Sequence, residues 1–76
     1  MKITITPERA NEALQGLRKK GDVSFDGKNG SFKVSGVEGR FNYDAESQIL
    51  TVTIDDTPFL VSEDYCYSEI KKYFTN

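Results

Sequence analysis

Cys66 is the only thiol in a chain with no histidine, so a cysteine nucleophile has no imidazole to activate it. A position early in a helix lowers a thiol pKa, but Glu63 and Asp64 just before it push the other way. Cys66 also shares one helical face with Tyr67, Ile70 and Phe74, the pattern of a buried structural cysteine. Asp55 and Asp56 are adjacent acids. In an extended segment, neighbours project to opposite faces and cannot share a proton as a catalytic dyad does. A strand-end turn ahead of Pro58 accounts for them better. Asp26 and Asn29 offer oxygens near two glycines, yet the graded spacing and closing glutamate of a calcium loop are missing, which favours a hairpin. One thiol and no imidazole also fall short of a structural zinc set. The expectation is a chain without catalytic residues, metal or cofactor.

Gly36-Val37-Glu38-Gly39 has the letters of a nucleic-acid-clamping GXXG loop, but its flanks alternate like strands and its glutamate repels phosphate. The net charge is −2, and the longest basic run is Arg18-Lys19-Lys20, so no basic stripe is present. A sheet that stacks bases carries aromatics on its open face. Here Phe25, Phe32, Phe41 and Tyr43 share parity with aliphatic residues that must be buried. The opposite face receives Lys2, Thr4, Ser24, Ser31, Lys33, Ser35, Arg40, Asn42, Thr51 and Thr53, a solvated set. Nucleic acid is therefore not expected as a partner.

What remains are contact residues. Tyr65 points away from the apolar face of its helix, and Tyr73 lies at the edge of that face. Exposed aromatics of this kind anchor protein contacts. Phe59 either joins them in an adhesive patch or plugs the end of the fold, and the plug is favoured. Lys33 and Arg40, on the wet sheet face, complete the candidate interaction surface. The expected partner is an unknown protein or a second copy pairing through an open strand edge.

The elements that position these residues follow from periodicity. Residues 2–6 alternate as a first strand, with Ile3 and Ile5 on one side. Thr6-Pro7-Glu8 is a helix start, with a hydroxyl cap, proline in the first turn and an acid at the positive end. Ala10, Ala13, Leu14 and Leu17 then form one stripe, so a helix is predicted over residues 7–20, closed by a left-handed Gly21. A short strand at residues 23–25 and a glycine-rich hairpin loop at 26–30 follow. Phe32 and Val34 are even-numbered whereas Val37, Phe41 and Tyr43 are odd, so one residue must be absorbed between them. Either a bulge at Gly36 or a tight turn over residues 36–39 does so, and the bracketing glycines favour the turn. Leu50, Val52 and Ile54 mark the clearest strand, and Ser62-Glu63-Asp64 opens the last helix.

Seventy-six residues make one domain with a single small core. Adjacent strands joined by short polar loops form an antiparallel meander. With one apolar stripe per helix and one apolar face on the strands, the predicted fold is an α+β two-layer sandwich: four or five antiparallel strands, with both helices packed on one face.

From residue 30 onward the chain resembles the polyhydroxyalkanoic acid system family, small granule-associated bacterial proteins. The shared features are a strand leading into Ser35-Gly36-Val37-Glu38-Gly39, an alternating strand pair, and a closing amphipathic helix with Lys71 and Lys72. The first helix is shorter than that family's, and the aromatic segment before the hairpin is reduced to Phe25. The resemblance implies the same element order and a role as an amphipathic adaptor at a polyester granule. It brings no catalytic motif. The opening residues lack the apolar run of a signal peptide, and no stretch has the ~20 apolar residues of a bilayer span. A soluble, cytoplasmic protein is expected.

Overall fold

The computed structural model describes residues 1–74. The elements, in chain order, are β1 (Lys2–Thr4), α1 (Pro7–Arg18), β2 (Gly21–Phe25), β3 (Asn29–Val34), β4 (Val37–Asp44), β5 (Ile49–Asp56) and α2 (Glu63–Phe74). The five strands form one antiparallel sheet in the order β1-β5-β4-β3-β2. β1 and β2 thus lie at opposite edges, and α1 spans the sheet between them. The hairpins β2 to β5 then carry the chain back to β1, where the amino terminus bonds the Val52 carbonyl at 2.9 Å.

Each element forms where its sequence signals lie. The Thr6 hydroxyl accepts a hydrogen bond from the Arg9 amide at 3.3 Å and caps α1, with Pro7 in its first turn. The Ser62 hydroxyl does the same for α2, accepting from the Tyr65 amide at 3.1 Å. In the β2–β3 hairpin, the Asp26 carboxylate accepts from the amides of Lys28 and Asn29 at 2.9 and 2.8 Å, and Gly27 takes the positive φ of 100° that the turn requires.

The parity change between Val34 and Val37 is resolved by a two-residue turn. Ser35 and Gly36 have φ of 53° and 82°, the mirror-image turn that matches strand twist. The turn is narrower than the expected residues 36–39: Val37 already pairs with Val34, and Gly39 is inside β4. Gly39 has a packing role instead. A methyl there would overlap the Phe32 ring and the Thr53 carbonyl. A bulge is also present, but on β5, where the register shift between Glu38 and Gly39 leaves Asp55 as the extra residue.

Other boundaries differ from expectation too: β3 already begins at Asn29, inside the expected loop of residues 26–30. β1 ends at Thr4, although the Ile5 amide still bonds the Gln48 carbonyl. α1 ends at Arg18, before Lys20. Gly21 opens β2 rather than closing the helix in a left-handed conformation. It has no positive φ, and its missing side chain leaves room for the Lys33 carbonyl.

Ile3, Phe32, Val34, Phe41, Tyr43, Leu50, Val52 and Ile54 from the sheet join Ala10, Ala13, Leu14 and Leu17 of α1 and Cys66, Ile70 and Phe74 of α2 in one buried cluster. Both helices therefore cover the same sheet face. The Phe41 ring stacks on Phe32 and meets Phe74 edge-on, with centroids 4.8 and 5.9 Å away. Two tyrosine hydroxyls complete the layer contacts. Tyr43 donates to the Ile5 carbonyl at 2.7 Å. Tyr67 accepts from the Ile54 amide at 3.1 Å, on the side of β5 where β1 has already ended.

Candidate functional site

Tyr65 and Tyr73 line the same groove at one end of the sandwich. Its volume is about 340 Å³, and Val37, Pro58, Val61 and Cys66 line it with them. α2 supplies the tyrosines with Cys66 and Ile70, the β3–β4 turn supplies a second wall, and Pro58 and Val61 of the β5–α2 connector line the remaining side. Tyr73 is half-buried: its ring lies 3.8 Å from the space a side chain at Gly16 would enter, so α1 lets the ring settle between the helices. Its carbonyl accepts a hydrogen bond from the Arg9 guanidinium at 3.4 Å. Tyr65 is more open, at 59 % exposure. Its hydroxyl is bonded to Glu69, which raises the phenol pKa, and Glu69 in turn pairs with Lys72 at 3.0 Å. Lys72, and then Tyr65, hold the Glu69 carboxyl below its ordinary value.

Phe59 does not plug the fold. It is 90 % exposed, and the neighbouring Leu60 is 89 % exposed. The reason lies in the connector's backbone. The Val61 amide bonds the Pro58 carbonyl at 3.1 Å, making a four-residue turn whose two central side chains are Phe59 and Leu60. The core already holds Val61 against its edge, so the turn tip projects outward. Leu60 has φ of 67°, a left-handed value that glycine adopts without strain and leucine does not. Sequence reading overlooked Leu60. The available signal was the run of residues 58–61, apolar but without strand or helix periodicity, directly after a charged strand end.

The two basic candidates lie elsewhere. Lys33 and Arg40 sit on the open sheet face, around a shallow hollow of about 520 Å³. Arg40 donates from Nε and Nη2 to the two Asp55 oxygens, both at 2.9 Å, and this forked bond raises the guanidinium pKa. Lys33 faces Glu38 at 4.0 Å. Both cations are thus engaged across strands. The structure divides the five candidate residues into an aromatic end and a paired, hydrophilic face.

The reactive candidates resolve in the same direction. Cys66 is buried at the base of the groove, and burial, followed by the charge of Glu63, pushes its thiol pKa up. Asp55 is committed to Arg40. Asp26 caps its hairpin, and the amides of Asn29 and Lys28 hold its carboxyl below the ordinary value. The GXXG letters fall across a turn and a buried strand glycine, with no free loop. Among the described residues, no cluster of histidine, cysteine, aspartate or glutamate could hold a metal ion, and no helix is long and apolar enough to cross a membrane. Compared with protein-family models, with curated proteins and with solved structures, the chain matches none.

Proposed function

We propose that the chain is a non-enzymatic binding module that captures an apolar segment of a partner protein at the Phe59–Leu60 tip and the tyrosine groove beside it. The observation that carries this reading is the tip itself: two large apolar side chains almost fully in water, one of them on a strained backbone. The tip is flanked by Asp56 on one side and Glu63 and Asp64 on the other, all exposed and without ion pairs among the described residues. That charge favours a segment with lysine or arginine beside its apolar residues. Selection from a displayed random-peptide library tests this. Enriched peptides should combine apolar and basic residues and should lose binding to the chain carrying Phe59→Ser and Leu60→Gly. Recovery of no peptide that depends on the tip would overturn the reading. An intrinsic activity abolished by substitution of Cys66 or Asp55 would overturn its non-enzymatic half.

The tip also favours a second reading, an adaptor at an uncharged hydrophobic surface such as a polyester granule. The same acids disfavour anionic lipid. Flotation with polyhydroxyalkanoate particles separates the two. Co-migration that the tip double variant loses supports the adaptor, and absence of co-migration removes it.

A further inference from the structure

We propose that β2 is a self-association edge: two copies pair antiparallel through it with Val23 at the two-fold axis, so that Lys20 of each copy faces Asp26 of the other. Neither Phe59 nor Leu60 of the apolar tip takes part in this contact.

The sheet has two open edges, and they differ. β1 is three residues long, too short to template another strand, whereas β2 is five. The hydrogen-bonding direction along β2 follows from its hairpin. The Asp26 amide bonds the Asn29 carbonyl at 3.0 Å, so Asp26 and Asn29 are a bonded pair. Bonded and non-bonded pairs alternate in an antiparallel ladder. Ser24 and Asp22 therefore bond to β3, and the amides and carbonyls of Gly21, Val23 and Phe25 point away from the sheet. β2 carries no proline, so all three amides are donors. No strand among the described residues covers them.

Only odd residues offer free backbone groups, so a second β2 strand must set odd residues opposite odd ones. The usable antiparallel registers then differ by steps of two, and charge selects among them. With Val23 facing Val23 of the second copy, Asp22 faces Ser24, and Lys20 faces Asp26 twice by symmetry. Sliding one way sets Asp22 against Asp22 of the other copy. Sliding the other way sets Asp22 against Asp26 twice. Like charges opposed across strands destabilise and opposite charges stabilise, so the register centred on Val23 is preferred. It is also the register in which all three free pairs are bonded. On the helix-covered side it brings Phe25 over Gly21 of the second copy, an aromatic on an edge glycine. Val23 and Phe25 are only half-buried in one copy, and this contact covers them. Inner residues face inner residues, so the helices of both copies cover the same face of the extended sheet.

Sedimentation from about 10 µM to about 1 mM tests the proposal, since an edge contact this small belongs to the weak, transient class. A monomer–dimer equilibrium is expected over that span. A chain still monomeric at the upper concentration overturns the proposal. Lys20→Glu should raise the dimer dissociation constant about tenfold, and Asp26→Asn, whose amide oxygen still caps the hairpin, about threefold, whereas Asp26→Asn should cost nothing further in the Lys20→Gln background. An Asp26→Asn loss that persists in full in the Lys20→Gln background overturns the register. Val23→Pro removes an outward amide without touching the ladder to β3 and should abolish the dimer. A folded Val23→Pro chain that still dimerises overturns the edge assignment. If that variant does not fold, exchange of the Val23 amide in the parent chain decides: it must slow as concentration rises.

Discussion

At the scale of single residues, polar groups here are placed to finish backbone pairing. Tyr43 is the clearest case, since its hydroxyl is the buried partner of the Ile5 carbonyl just past the end of β1. Tyr43→Phe keeps the ring and strands that carbonyl, so unfolding by urea should show a loss of about 1–3 kcal/mol with an unchanged slope. Asp26 makes a pH-dependent contribution. Its folded pKa lies below the ordinary 3.8, because two amides bond the charged form. The stabilisation is therefore complete above the unfolded value and is lost as pH falls through the folded one. Carbon-detected titration should give Asp26 a midpoint below 3.8, with loosening of residues 26–29 on the acid side of it. A midpoint at or above 3.8 would show that the cap does not persist in solution.

Helix caps and strand alternation could be read directly, because they depend on neighbours in the chain. Thr6 and Ser62 cap as their types and spacing required, and the even and odd apolar sets of β3, β4 and β5 all face inward. Glycines were the hard elements. Gly21 suggested a left-handed helix end and Gly36 and Gly39 the bounds of a turn, yet only Gly36 lies where it was expected. Gly21 and Gly39 are glycines because a carbonyl or a ring from another strand fills the space a side chain would need, and no local pattern records that. Gly39→Ala should accordingly destabilise by about 1–3 kcal/mol through overpacking against Phe32, read as a lowered thermal midpoint. Gly39 has no positive φ, so if the ring and carbonyl left room for a methyl, alanine would be neutral or slightly stabilising.

For the molecule as a whole, one buried cluster holds sheet and helices together, with no disulfide to assist it. At about 0.05–0.15 kcal/mol per residue, a chain of this length has a total stability near 4–11 kcal/mol. Leu50 is fully buried in the middle of that cluster. Leu50→Ala should remove about 2–5 kcal/mol, a large part of the total, and chemical denaturation should show strands and helices losing stability in one transition. Separate transitions for the two layers would mean that the cluster does not act as a unit. The distribution of exposed side chains is equally uneven. On the open sheet face Arg40 pairs with Asp55 and Lys33 faces Glu38, while the large exposed apolar side chains Phe59 and Leu60 lie at the connector end.

Residue order alone was enough for the two-layer architecture and for which side of every strand is dry, because periodicity of two or 3.6 is a local property of the backbone. It also placed Tyr65 outside the apolar face of the last helix and Tyr73 at its edge. Where those rings lie relative to Pro58 and Val61, why Phe59 stands in water, and which strands form the two edges of the sheet depended on long-range packing. Strand order and the turn of residues 58–61 are set by contacts between distant parts of the chain, and these leave no periodic trace in the sequence.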